Sequence, residues 1–390
     1  EAPTEPVAEL VQAQAAESLQ SQSVPPIESP QLVPAWLRRI GNGALAGVAT
    51  LLALHVAAPD HAHAQPDHAA HRLPNVPALE QNVTIPTSPP VVRYTPFEIG
   101  ITTYNSQTDG VPNLYADEQD LGLNGVRESL IRSSWRRDLS QIRADDVAAE
   151  AHGEQMAVDL GETATAPRVR FAQWAGHMVA LLPADIDRVI IENEVDGTDF
   201  YDPGAIQNPT VLMHMYVNQL YQTHQAIKAV RPDMQVCGFG LDSIPANNPL
   251  GYLQGAALYA YQEYGGLQNI EDCLSEHSYV PIPRAEALLQ AYQSVTSQSI
   301  WVDEFGRNLR RGLTPDQQAD QYEQFITFLY ENPQVQGVNI YHDYNPPVDS
   351  PVDQWQTGLR TPRGILLPSG HTVRDLATSF AHTDRLSYTP

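Results

Sequence analysis

Glu194 and Glu304 each stand just past a short apolar run, Val189-Ile190-Ile191 and Ile300-Trp301-Val302. Such runs, bounded by polar residues, read as β-strand ends. Two carboxyls brought face to face from two strand ends can divide one reaction between them. One, kept protonated, gives its proton to a leaving oxygen. The other, kept ionised, attacks the carbon left behind or activates a water. Both states must coexist at one pH, so the surroundings must separate the two pKa values. Candidates for that task sit at other predicted strand ends. Arg127 could hold a carboxylate ionised, and Tyr279, two residues after His277, could donate a hydrogen bond to it. Asn193, beside Glu194, could bond a substrate hydroxyl more strongly in the transition state. Glu192 shares strand parity with Glu194 and is a rival acid. Arg132 is a rival to Arg127. The last predicted strand ends in Tyr341-His342-Asp343-Tyr344-Asn345.

The elements that must position these groups alternate in kind. Short apolar runs occupy Phe97–Thr102, Gly125–Ile131, Met156–Leu160, Arg188–Ile191, Met234–Phe239, Leu274–Tyr279, Ile300–Val302 and Val335–Tyr341. Between them lie segments of helical period. Phe171, Trp174, Met178, Leu181 and Leu182 share one face. Met213, Tyr216, Val217, Leu220 and Ile227 share another. Thr314-Pro315-Asp316-Gln317 opens a further helix with a cap, a first-turn proline and a capping-box glutamine. Tyr322, Phe325, Ile326 and Leu329 form its core face. Eight strands alternating with helices predict a (β/α)8 barrel over residues 96–390, with reactive groups at the C-terminal strand ends. A doubly wound open sheet is the competitor, but it would show a glycine-rich first turn, and Gly100-Ile101-Thr102-Thr103 is not one.

The first quarter of the chain reads differently. Residues 1–34 are rich in Glu, Gln, Ser, Ala and Pro and predict a solvated, disordered tail. Residues 35–58 place Trp36-Leu37-Arg38-Arg39 before the apolar run Ile40–Ala58. This predicts a signal or signal-anchor segment that leaves the remainder outside the cytoplasm, with residues 40–58 as a membrane tether if retained. Ala62-His63-Ala64 is a candidate cleavage site. Residues 59–95, rich in Pro, Ala and His, read as an extended linker in which His61, His63, His68 and His71 are incidental.

Composition excludes several chemistries. The 390 residues hold 22 basic and 46 acidic side chains, a net charge of −24, which gives no footprint for nucleic acid. The single lysine, Lys228, lies on a predicted helix and not at a strand end, so a Schiff-base site is misplaced. No phosphate-cradling loop and no nucleophile elbow occur. His277 and His342 are isolated on their strands, so no metal is expected and no cofactor is needed. Cys237 and Cys273 read as small core residues instead of a bridge.

Asn193-Glu194, His277-x-Tyr279 and Glu304-Phe305-Gly306, in that order, resemble the clan A glycoside hydrolases. Tyr221–Pro232 is similar to the helix before their fifth strand, Ile270–Ser275 to the lead into their sixth, and Gly364–Leu367 with Gly370 to the segment before their last helix. The likeness spans roughly residues 96–380. It implies a retaining mechanism with Glu194 as acid/base and Glu304 as nucleophile, their carboxyls about 5–5.5 Å apart. It implies a poly- or oligosaccharide substrate, β-linked, bound by Asn193, Arg127, His277, Tyr279 and Tyr341. Tyr341 stands where the family often stacks a tryptophan; Tyr344 and Trp355 are substitutes for that platform. The acidic surface favours neutral glycans such as a xylan or glucan. A catalytically silent barrel that binds a cell-surface glycan is the alternative.

Overall fold

The computed structural model describes residues 91–94, 96–103, 114–162, 170–197, 208–242, 248–345, 356–381 and 386–389. The expectations for residues 1–34, 35–58 and 59–90, and for Trp355, lie outside these. Among the described residues no helix is long and apolar enough to cross a membrane.

Eight parallel strands close a barrel in chain order. They are β1 (Glu98–Thr102), β2 (Gly125–Ile131), β3 (Gln155–Gly161), β4 (Arg188–Ile191), β5 (Gln235–Asp242), β6 (Cys273–Ser278), β7 (Ser299–Phe305) and β8 (Val335–Tyr341). Glu98 pairs with Gly337 where β1 and β8 meet. Each strand is followed by a helix: α1 (Leu114–Asp120), α2 (Trp135–His152), α3 (Phe171–Val179), α4 (Pro209–Val230), α5 (Pro249–Tyr264), α6 (Ile282–Gln293), α7 (Pro315–Glu331) and α8 (Pro368–Ala381). This is the predicted (β/α)8 barrel. The strands over 125–131, 188–191 and 335–341 have the predicted bounds. β5 and β7 run three residues further, because their polar tips still pair with neighbours at the barrel mouth.

Local sequence accounts for the helix ends. Asn208 caps α4 by accepting from Thr210 N and Val211 N, with Pro209 in the first turn. Thr314 and Gln317 close both halves of the capping box at α7. Helix α3 ends at Val179, so Leu181 and Leu182 follow it; Leu182 is still buried in the core.

The main core lies between strands and helices. There Tyr216 and Leu220 of α4 and Tyr322, Phe325, Ile326 and Leu329 of α7 meet the outward faces of the strands. A second, smaller cluster fills the barrel itself: Ala157, Ile190, Cys237, Cys273 and Trp301. Below it Arg188 lies over the Trp301 ring at 3.3 Å and bonds Glu98. Gly337 leaves the space Trp301 needs, since a Cβ there would stand 2.6 Å from the indole.

Two expectations are corrected. Cys237 and Cys273 form a disulfide. They are directly paired inward-facing residues of adjacent strands, with Cα atoms 4.4 Å apart, inside the range a bridge spans. Residues 91–94, read as the end of an extended linker, form a strand paired antiparallel with Leu386–Thr389. The partner lies about 300 residues further along the chain, so no local pattern announces the pairing.

Candidate active site

The tip of β4 carries the first carboxyl. Past Ile191 the backbone turns left-handed at both Glu192 (φ 64°) and Glu194 (φ 46°). Each such non-glycine residue costs roughly 1–2 kcal/mol, so neighbours must hold the turn. Buried Tyr216 does so from α4: its hydroxyl donates to Ile191 O at 3.0 Å and accepts from Phe239 N at 2.6 Å. Gly240 of β5 lets the turn approach, since a Cβ there would stand 3.2 Å from Glu192 O. The turn sends the two glutamates apart. Glu192 accepts from Gln219 Nε2 at 3.0 Å and from Glu162 N at 3.1 Å, which makes it a brace for the turn. Glu194 reaches His277, with Oε1 3.0 Å from Nδ1.

The second carboxyl comes from β7. Strict alternation would send Asp303 and Glu304 to opposite faces. The register slips between Glu276 and His277 against β7, and between Val302 and Phe305 against β8. Such irregularities re-aim side chains. Both residues consequently contact Arg127, whose Nη1 donates to Glu304 Oε1 and whose Nε lies 3.4 Å from Asp303 Oδ2. Arg127 also donates to Asn193 Oδ1 at 3.0 Å and to Asp159 Oδ2 at 3.3 Å. Tyr279 donates to Glu304 Oε2 at 2.6 Å, and His277 Nδ1 lies 3.5 Å from the same oxygen.

One oxygen from each of Glu194 and Glu304 and one nitrogen of His277 lie within 4.8 Å of one another. Three such groups could ligate an ion, but Arg127 and Tyr279 already bond Glu304, and His277 bonds Glu194. The arrangement is that of a proton-sharing cluster. Its two carboxyls differ in the expected direction. Burial raises Glu194, which the bond and charge of His277 only partly offset. Burial acts on Glu304 too, but the charges of His277 and Arg127 and the Tyr279 bond outweigh it and hold the carboxyl down. Burial alone would lower His277; the charges of Glu304 and Asp303 overcome it and lift the imidazole well above its ordinary range.

Arg127, Asn193, Glu194, His277, Tyr279 and Glu304 thus meet at one place. Tyr341 borders it, its ring 6.0 Å from that of Tyr279 and edge-on. Arg132 does not join them: it pairs with Glu162 at 3.7 Å. Tyr344 is engaged elsewhere, donating to Asp117 of α1. Sequence reading missed Asp159 and Asp303. Their alternation with Ala157 and Trp301 along inward strand faces is the signal that could have found them.

No protein-family model matches the chain, and no curated protein matches its sequence. Solved structures do. The fold is similar to a family 39 glycoside hydrolase from the gut symbiont Bacteroides cellulosilyticus WH2. The TM-score is 0.55 at 17% identity, covering 73% of this chain and 64% of that one. It is similar to a variant of GH5_18 from Streptomyces cattleya in complex with Manb1-4GlcNAc, with TM-score 0.57 and 16% identity over 75% and 82% of the two chains. It is also similar to the exo-beta-1,4-mannosidase Op5Man5 from Opitutaceae bacterium strain TAV5. There the TM-score is 0.50 at 14% identity, over 73% of this chain and 59% of that one. The chain therefore spans less than two-thirds of the first and third of these proteins. The shared feature is the (β/α)8 barrel on which these glycoside hydrolases are built.

Proposed function

We propose that this chain is a retaining glycoside hydrolase acting on a neutral β-linked glycan outside the cytoplasm. The observation that carries the reading is the pair Glu194 and Glu304. They end β4 and β7, have oxygens within 4.8 Å, and have acidities shifted in opposite directions. That proximity suits double displacement, for which about 5–5.5 Å between carboxyls is usual, better than the roughly 6.5–9.5 Å of an inverting enzyme.

The ionised Glu304 attacks the anomeric carbon as the glycosidic C–O bond breaks. Glu194 gives its proton to the departing oxygen. Glu194, now a carboxylate, takes a proton from water, whose oxygen attacks the same carbon and releases Glu304. Arg127 and Tyr279 hold the attacking carboxylate ionised and oriented. The Arg127 bond to Asn193 Oδ1 turns the amide nitrogen of Asn193 toward donation to a sugar hydroxyl. Tyr341 supplies an aromatic edge to the cleft.

The glycans of two similar structures, Manb1-4GlcNAc and the substrate class named by a beta-1,4-mannosidase, support a β-linked substrate. The disulfide supports a location in an oxidising compartment, where such bonds persist.

The test is reducing-sugar release from xylan, β-glucans, β-mannan and short β-mannosides. We expect release by the wild type, with retained configuration by NMR, and loss of about 10³-fold or more in Glu304→Gln with the fold intact by circular dichroism. No release on any substrate, with retention of one of them in a pull-down, would instead identify a silent glycan-binding barrel.

A further inference from the structure

We propose that Asp303, the residue before the nucleophile, is a positioning residue that holds His277 by Nε2 and Arg127 by Nε, so that one buried carboxylate aims both cations at the catalytic pair. This rests on the roles given above to Glu194 and Glu304.

Asp303 is 2% exposed. Its Oδ1 lies 3.5 Å from His277 Nε2 and its Oδ2 3.4 Å from Arg127 Nε. The far edges of the same two cations face the reaction. His277 Nδ1 meets Glu194 at 3.0 Å and Glu304 at 3.5 Å, and Arg127 Nη1 donates to Glu304. Asp303 is itself anchored across the barrel, where the Thr102 hydroxyl donates to its carbonyl at 2.7 Å.

An ionised carboxylate only accepts hydrogen bonds. Asp303 stays ionised because Arg127 and His277 overcome its burial and hold its pKa near about 2. The negative charge 3.5 Å from Nε2 of His277 favours a proton on that nitrogen and leaves Nδ1 as the position that exchanges with Glu194. That matters because Glu194 must be a proton donor in the first step and a carboxylate in the second. An imidazolium at Nδ1 can bond the carboxylate form, and the same contact survives when Glu194 regains the proton. The groups facing His277 are Glu194 from β4, Asp303 and Glu304 from β7, Asp242 paired with it from β5, and Glu276 beside it; the Tyr279 ring completes the shell. Of these, Glu304 and Asp303 supply the charge that sustains the imidazolium.

The first measurement needs no variant. Long-range proton–nitrogen couplings of the histidine rings, with His277 assigned by its loss in His277→Gln, report which nitrogens carry protons. We expect Nε2 protonated throughout about pH 6–8, the range in which a free imidazole titrates. An Nε2 without a proton anywhere in that range overturns the proposal. The second measurement compares Asp303→Asn. We expect the His277 midpoint to fall by about one unit or more, a tenfold change in proton affinity. We expect kcat/KM to fall about 10–100-fold with KM little changed, the pattern of a lost transition-state interaction. The acid limb of the pH profile should move down, because His277 is still an imidazolium at that pH while the Asp303 charge that raises Glu304 is gone. An unchanged His277 midpoint in a variant that melts like the wild type overturns the proposal. The ring measurement does not require turnover, so absence of glycosidase activity would sink the functional reading while leaving this contact tested on its own.

Discussion

Two glutamates two residues apart illustrate how little side-chain identity alone decides. Glu192 and Glu194 follow the same strand, yet one braces a turn through Gln219 while the other enters the cleft. At the same scale, Tyr279 carries a sharp expectation. Its hydroxyl is one of the donors that keep Glu304 below its ordinary range. A hydrogen bond to a charged group contributes about 1.5–3 kcal/mol. Tyr279→Phe should raise the Glu304 pKa, and since the proposed nucleophile must be ionised, activity should fail at higher pH on the acid side. We expect the acid limb of kcat/KM to rise by about one unit and kcat to fall about tenfold. An unmoved acid limb would remove Tyr279 from the group that keeps Glu304 ionised.

At the scale of elements, the barrel is joined through its interior by the Cys237–Cys273 bridge between β5 and β6, which closes a segment of 36 residues. In the chain-entropy description a loop of that length stabilises the fold by about 4 kcal/mol. The double variant Cys237→Ala, Cys273→Ala should melt about 5–15 °C lower, a range set by the few degrees per kcal/mol typical of large domains. Its turnover at room temperature should change little, because the bridge lies in the apolar cluster with Trp301 and not among the cleft groups. Calorimetry decides it; an unchanged melting temperature would show that the bridge does not constrain the unfolded chain.

Across the whole molecule, the interior is unusually acidic. Burial pushes Glu276 up to about 8 and Asp159, Asp343 and Glu154 up to about 7; Glu118, Asp196 and Glu271 rise well above the ordinary carboxylate range for the same reason. These groups bind protons in the folded state at pH values where the unfolded chain has released them. Stability contributed by their neutral forms is complete below about pH 4 and lost as pH rises toward 8. Asp303 and Glu304, held low, act oppositely and lose their contribution only as pH falls through about 4 and below. His277, held high, adds stability that also fades on the alkaline side. The melting temperature should therefore peak at about pH 4 and lie about 5 °C or more lower at pH 8. The net charge of −24 pushes the same way by self-repulsion. That part is screened at about 1 M salt, where the Debye length is about 3 Å. Persistence of the pH dependence at that salt in differential scanning fluorimetry would assign it to the interior; a flat profile would show that these carboxyls are ionised in the fold.

Much of this was legible in the amino-acid order alone. Alternating apolar runs and helical faces specify a (β/α)8 barrel because a fully buried parallel strand and an amphipathic helix leave different periods in the text. Asn193, Glu194, His277, Tyr279 and Glu304 could be picked out because a barrel delivers polar residues at the ends of its strands. What the order could not reveal were relations between strands. The register slips that turn both Asp303 and Glu304 onto Arg127, the left-handed turn that parts Glu192 from Glu194, and the pairing of Cys237 with Cys273 all depend on how neighbouring backbones abut. Local sequence sets which residues stand at a strand end; only closure of the barrel sets which of them face one another.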